Sequence, residues 1–320
     1  MNLKFLAERS PGDASCRDLA GLASHNPFNT AAYAAVRSAA GAEPWLLAVC
    51  RDKQLIAGCY GFLQRGRLTS RFEVHSLPKL EQATPFWAGL VKLCREQRVA
   101  ELKINSFGSI DTQIPKLDRE LGRRARREYC LDLTAPSLWQ ALSSNHKRNI
   151  KRGKKAGLTL VQCGEAEAAE AHAQAIGQSM RRREARGEHV STAAEASPFL
   201  ALMAQGAGQL FQAKVEGRVM SSLLVLRAEK GAYYHSAGSV PEGMALGAAH
   251  FLVSGVAELL RDEGLEVFNL GGADASEEGL ARFKAGFGAH PIDLEAARFA
   301  VCSPMQRVIF AAMHAVGSRL

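Results

Sequence analysis

Two segments of the chain share one hydrophobic pattern. Over residues 44–77, and again over 208–239, β-branched and aromatic residues fall in short runs separated by polar breaks. This predicts strand, turn, strand, turn, strand in each. The breaks are Asp52-Lys53 and Arg65-Gly66 in the first triple, then Glu216-Gly217 and Glu229 to Gly231 in the second. Helical spacing of apolar residues follows each triple, over 80–97 and 244–264, and leads into short strands at 101–108 and 265–272. One offset of 164 residues relates the two: Asp52 maps to Glu216, Ile104 to Phe268, Asn105 to Asn269, Gly108 to Gly272 and Gly122 to Gly286. Matching element order in constant register predicts a duplicated unit of the α/β (α+β) class, each copy a mixed sheet flanked by helices.

The second half adds a strand at 158–163, helices at about 165–186 and 195–205, and a strand at 292–302. An amphipathic helix is expected from Pro304 to about Ser318, with Met305, Val308, Ile309, Ala312, Met313 and Val316 on one face. A length of 320 residues suits two domains, and 47% hydrophobic residues suffice for two cores. The seven cysteines are odd in number and form no CxxC or Cys/His spacing, so a reduced, cytoplasmic protein is expected and no metal site is predicted. No apolar run reaches ~18 residues, which leaves the chain soluble or, at most, peripheral to the inner face of a membrane. A net charge of +8 favours anionic partners. GxxxxGK[ST], HExxH, GxSxG and a strand-linked GxGxxG are absent, which removes support for NTPase, zincin, serine hydrolase and dinucleotide chemistry.

The positive charge is concentrated. "SSNHKRNIKRGKKAGL" (143–158) places Lys147, Arg148, Lys151, Arg152, Lys154 and Lys155 in nine positions, with no Asp or Glu between Asp132 and Glu165. Ser143 or Ser144 caps a helix that Gly157 ends. Like charges at i,i+3 and i,i+4 each cost about 0.2–0.5 kcal/mol, and Ile150 is the only bulky apolar residue to offset them. Either an anion lies across this helix, or it is a solvated connector screened by salt. The missing interspersed Glu favours the anion, held by Asn145, Arg148, Lys151 and Arg152, in a cleft expected at the junction of the repeats.

Candidate chemistry lies further on. In "YYHSAGS" (233–239), strand alternation puts Tyr233 and His235 on one face and Tyr234 on the other, and either face can supply a proton donor or acceptor. In 268–291 a strand breaks at Gly271-Gly272, which allows close backbone approach, and Ser276 opens a helix. Arg282 and Lys284 then flank Phe283, with Phe287 beyond. A lysine between aromatics suits stabilisation of a developing oxyanion. No nucleophile with an obvious base partner is present, which suits direct transfer without a covalent enzyme intermediate.

With these residues in view, the sequence resembles the FemAB-like branch of the GNAT acyltransferase superfamily. The basic helix 143–158, the "EGRVMSSLLVL" hairpin and "FNLGG…LARFKAGFG" carry the resemblance, which spans about residues 25–300. It implies two tandem GNAT-like domains: 1–134, then a basic connecting helix at 135–157, a catalytic domain at 158–302 and the terminal helix 303–320. It implies an N-acyltransferase acting on an amine of a cell-envelope or polysaccharide precursor. No resident cofactor is implied; the co-substrate is aminoacyl-tRNA or an acyl-CoA, and a non-catalytic RNA or polyanion binder is the remaining alternative. Phe283 and Lys284 match the family's Phe-Lys pair near the reacting carbonyl, with Tyr233 or His235 as proton carrier and Arg148, Arg152 and Arg282 on phosphates. The pyrophosphate loop of CoA-dependent relatives aligns with "MALGAA" (244–249), where Gly247 and Ala249 fit and Met244 replaces the polar head; Gly271 and Gly272 complete the donor-binding backbone.

Overall fold

Two of the three predicted two-residue turns form, whereas at Arg65-Gly66 the connection is longer, with β3 ending at Arg65 and β4 starting at Ser70. Asp52 and Lys53 adopt φ of 47° and 73°, and Glu216 and Gly217 adopt 49° and 77°, the paired left-handed residues of a tight hairpin turn. The computed structural model describes residues 3–66, 69–110, 113–188, 190–273 and 277–301. The helix expected from Pro304 and the Ser276 cap lie outside the described residues.

Strands and helices follow in the order β1 (Leu3–Arg9), α1 (Asp13–Leu22), α2 (Ala31–Ala39), β2 (Glu43–Arg51), β3 (Gln54–Arg65), β4 (Ser70–Val74), α3 (Thr84–Glu96), β5 (Glu101–Ile104) and β6 (Glu120–Asp132). Next come α4 (Leu138–Ala141), α5 (Ser144–Lys155), β7 (Thr159–Cys163), α6 (Ala166–Glu184), α7 (Ser197–Ala204), β8 (Gly208–Val215), β9 (Arg218–Arg227) and β10 (Gly231–Ser239). The chain then forms α8 (Pro241–Leu246), α9 (Ala248–Asp262), β11 (Val267–Gly272), α10 (Glu278–Ala285) and β12 (His290–Ala300). The described residues of Met1–Ser24, Phe28–Arg126 and Asp293–Leu320 make one compact unit, and those of His25–Pro27 and Arg127–Ile292 make a second.

In the first unit the strand order is β1-β2-β3-β4-β5-β12. β4 and β5 run parallel and the other neighbours antiparallel, and Trp45, Leu47, Phe72, Val74, Leu90, Leu102 and Phe299 fill the core. β12 pairs with β5 from Ala297 against Ile104 to Ala300 against Glu101, so the strand expected to close the second domain completes the first sheet. Its buried Ala297 and Phe299 belong to that core.

In the second unit the order is β6-β11-β10-β9-β8-β7, again with one parallel pair, β10 and β11. One face of this sheet buries Phe211, Leu223, Val225, Ala232 and Phe268 against Leu252, Val253, Val256 and Leu260 of α9. The other face meets α6: Gln212 Nε2 donates to Ala168 O, and His172 lies between the Ser222 and Ser236 hydroxyls at 2.8 and 2.9 Å.

The repeat is therefore real in the hairpins and the parallel pair, where Ile104 opposite Val74 corresponds to Phe268 opposite Ala232. The last match fails: Gly122 lies in β6, whereas Gly286 caps α10. The single helix expected at 244–264 is two, broken at Gly247, whose φ is 72°.

Packing of α6 on the sheet sets one testable requirement. A Cβ on Gly238 would fall 2.3 Å from Ala175 C and Ile176 N, which are helix backbone and cannot swing aside. Gly238→Ala is expected to lower Tm by about 5 °C or more in a calorimetric scan; an unchanged Tm would show that α6 does not sit this closely.

Candidate active site

β10 and β11 pair in parallel over Gly231 to Tyr233 and Val267 to Asn269, and each bulges just beyond. The register of β10 against β9 slips between Tyr234 and Ser236; that of β11 against β6 slips between Asn269 and Gly272. At the second bulge Gly271 takes φ of 73°, which glycine adopts without strain. The first bulge overturns the expected alternation. Tyr233 is buried, while the extra residue, His235, is exposed and reaches only its neighbour Ser236 Oγ at 3.4 Å.

A buried carboxylate organises the residues around these bulges. Glu128, on β6, is 0% exposed; its Oε1 accepts from the Tyr233 hydroxyl at 2.9 Å and its Oε2 from Asn269 Nδ2 at 2.8 Å. Asn269 Oδ1 in turn accepts from the Gly271 N–H at 2.8 Å, which fixes the side-chain amide and pins the bulge. Lys284, on α10, is 4% exposed, and its Nζ donates to Gly272 O at 2.5 Å. A Cβ on Gly271 would lie 3.5 Å from that Nζ and 3.6 Å from the Tyr233 hydroxyl. The hydrogen of Gly271 thus leaves the ammonium and the phenol facing a shared space. Burial pulls the Lys284 amine down to about 8, against the opposing pull of Glu128 and Glu277.

The aromatic partner of Lys284 is Tyr234, whose ring centroid lies 5.7 Å from Nζ, and not the flanking phenylalanines. Phe283 and Phe287 turn the other way and cluster with His146 and His250. For Phe283 the reason is helical: in α10 a residue and its immediate neighbour do not share a face, while Phe287 lies beyond the end of that helix. Arg282 is exposed.

That aromatic cluster ties the basic helix to the lysine's helix. Ser143 caps α5, and its N–H donates to Gly286 O at 2.9 Å. His146 Nε2 lies 2.8 Å from Phe283 O; a carbonyl only accepts, so the proton sits on Nε2 and Nδ1 accepts from Ser143 Oγ at 2.9 Å. Gly286 must be glycine, since a Cβ there would come 2.1 Å from the His146 ring. At its other end α5 closes with Gly157 at φ 76°, the Leu158 N–H bonding back to Gly153 O and the Gly157 N–H to Lys154 O. His146, Ile150 and Gly153 form its buried face.

The exposed side of α5 divides in two. At 3.6 residues per turn, Lys147, Lys151, Lys154 and Lys155 share one sector, and Arg148, Arg152, Asn145 and Asn149 share the next. Arg152 bonds to Asn149 Oδ1, and Asn149 packs on Gly247, where a Cβ would lie 2.7 Å from Asn149 O. Gly247 therefore permits close approach of α5 to the α8–α9 joint; the next loop position, Ala249, is half-buried.

Glu128, His146 and His172 were not singled out in the sequence, and Asn269 was named only as the repeat partner of Asn105. The first unit has a polar counterpart at the same strand level. His75 follows Val74 as Tyr233 follows Ala232, and it accepts from the Tyr33 hydroxyl and donates to Glu73 at 2.8 and 3.1 Å. The lysine of that cluster, Lys103, lies 3.8 Å from Glu73 and is 40% exposed, unlike the buried Lys284. No group of His, Cys, Asp and Glu able to hold a metal occurs among the described residues.

Residues 141–285 match the family model of the acetyltransferase (GNAT) domain. This stretch is similar to a GNAT domain. That match spans α5 to α10, so it contains Tyr233, Asn269, Gly271 and Lys284 but not Glu128. Among solved structures, the chain is similar to FemX, at 12% identity and a TM-score of 0.74 over 95% of this chain and 99% of that one. It is also similar to the C-terminal domain of a protein described as a lysylphosphatidylglycerol synthetase from Agrobacterium fabrum, at 16% identity, TM-score 0.53, and 93% and 95% coverage. A tandem GNAT protein from the clavulanic acid biosynthesis pathway aligns at 15% identity, TM-score 0.50, and 93% and 98% coverage. These likenesses establish the tandem GNAT-like fold. No curated protein sequence matches the chain.

The buried and half-buried histidines of the second unit make its stability depend on pH. Burial holds His146 below the ordinary 6.5, His172 at about 3 and His250 at about 4. The unfolded chain takes up protons below pH 6.5 that the folded form refuses, so stability is lost as pH falls from about 6.5 toward 4. Tm should fall over that window, and His172→Gln should flatten the slope; a Tm constant down to pH 4 would contradict the neutral, buried assignment.

Proposed function

We propose that the protein transfers an acyl or aminoacyl group to an amine, forming an amide without a covalent enzyme intermediate. The observation that carries this reading is the buried Lys284 ammonium set beside Gly271 and the Tyr233–Glu128 pair in a GNAT domain. Lys284 Nζ carries three protons and gives one to Gly272 O. The others are free for the oxyanion that forms when the acceptor nitrogen attacks the donor carbonyl. As the C–N bond forms, the nitrogen sheds a proton. The Tyr233 oxygen takes it and passes its own proton to Glu128; as the oxyanion collapses, that proton returns through Tyr233 to the donor's alcohol or thiol, which leaves protonated and restores the Glu128 carboxylate.

The donor phosphates fit the Asn145, Arg148 and Arg152 sector of α5, with Lys151 at its margin and Arg282 on the neighbouring helix, while Gly271 and Gly272 give backbone access. Similarity to FemX along nearly the whole chain supports the FemAB-like branch, an aminoacyl donor such as aminoacyl-tRNA, and an envelope-precursor acceptor. The packing of Asn149 on Gly247 supports it too, because this helix contact by itself accounts for a glycine at that position. The acetyltransferase description of the matched family favours acyl-CoA as the second reading. Thermal shift separates the two: a CoA thioester that binds the folded form raises Tm, whereas an unrelated donor site leaves it unmoved.

Lys284→Met is expected to lower turnover about 10²–10³-fold. In the wild type, kcat/KM should decline above pH about 8 as Lys284 loses its proton, and this limb should be missing from the residual activity of the variant. Unchanged turnover, or a falling limb that survives in Lys284→Met, would retire the assignment.

A further inference from the structure

Three lysines of the α5 lysine sector, Lys147, Lys154 and Lys155, have no part in the site just described, and they adjoin an exposed tryptophan. Trp139, on α4, is 37% exposed, whereas Trp45 and Trp87 are 7% and 5% exposed. Its neighbours Leu138 and Leu142 are buried, so α4 is anchored and presents the indole outward. Lys154 Nζ lies 6.0 Å from that ring, and Lys147 Nζ donates to Gln140 O at 3.2 Å, which places the lysine sector alongside α4. Among the described residues, none of the six α5 cations has an ion-pair partner.

We infer that Trp139 with Lys147, Lys151, Lys154 and Lys155 docks the protein on a bilayer surface bearing anionic headgroups. The charges are complementary, and four lysines on one helical sector match the density at which basic clusters hold such a surface. Lysine suits this role: its ammonium is a mobile point charge that takes any phosphate within reach, whereas the fork of arginine selects a fixed one, and the arginines lie in the other sector. An indole beside the lysines belongs at the boundary of headgroups and acyl chains, where its ring is buried and its N–H stays wet. A duplex or folded RNA would meet the lysines but has no apolar layer for the indole. No helix among the described residues is long and apolar enough to cross a membrane, so this contact is peripheral. The inference deepens the proposed transferase reading by locating its acceptor at a lipid surface, and it rests on that reading only for this consequence.

The test mixes the full-length protein with sedimenting vesicles of phosphatidylcholine, with and without phosphatidylglycerol. Binding should require phosphatidylglycerol and weaken with salt, and the emission difference between wild type and Trp139→Phe should shift to the blue on binding. The Lys147→Gln, Lys154→Gln, Lys155→Gln triple variant changes only exposed or half-exposed side chains. At roughly fivefold per lysine it should bind about a hundredfold more weakly. Failure to sediment with phosphatidylglycerol vesicles at low salt would overturn the inference, as would undiminished binding by the triple variant. Displacement from vesicles by a tRNA pool, through the same lysines and without an emission shift, would assign the face to RNA and overturn it as well. Amide formation on a soluble amine without vesicles is measured separately. Activity without vesicle binding defeats this inference alone, and vesicle binding without activity for any donor defeats the transferase reading alone.

Discussion

An ammonium group held out of water is costly unless its surroundings replace the lost hydration. Lys284 is the place where the second unit meets that cost. The Gly272 carbonyl accepts one of its protons, the Tyr234 ring lies beneath it, and the charges of Glu128 and Glu277 oppose the effect of burial. Apart from Glu277, the N-cap of α10, none of these partners is local to that helix. Each depends on where a strand stops: Tyr234 on the bulge of β10, Gly272 on that of β11, and Glu128 on the register of β6 against β11. Removing either bulge would leave the lysine unsatisfied. The local geometry of two strands and the charge state of one side chain are thus a single constraint.

The same logic joins the basic helix to this centre. Six cations repel along α5, yet His146, Ile150 and Gly153 bury one face of it, and Ser143 and His146 bond directly to the C-terminal turn of α10. The helix is fixed where its charges face outward. Its two exposed sectors differ in chemistry, arginine and asparagine toward the α8–α9 joint and lysine toward α4. The proposed phosphate binding in one sector and the proposed surface docking in the other need no rearrangement of the helix, only its rigid attachment.

Much of this frame was legible in the sequence because it is local. The two hairpins carry residues that accept left-handed turns, Ser143 and Gly157 mark the ends of α5, and apolar spacing located α3, α6, α7 and α9. β6 was missed because its sequence, "ELGRRARREYCLD", is dominated by exposed cations and only its last residues are buried. With β6 went Glu128, whose partners Tyr233 and Asn269 lie 105 and 141 residues away. The bulge at His235 was equally illegible: one extra residue inverts the strand's faces, and only pairing with β9 shows it. Lys284 was identified, but its neighbours in sequence were mistaken for its neighbours in space; Tyr234 belongs beside it, and Phe283 beside His146.

The most direct test of the account is the titration of the lysine side chains by carbon NMR in protein labelled at the lysine ε-carbon. The account predicts one resonance titrating near pH 8, absent from Lys284→Met and moved to lower pH in Glu128→Gln, where the opposing charge is gone. If every lysine titrates together near 10.5, Lys284 is not buried beside that carboxylate, and the architecture described around it is wrong.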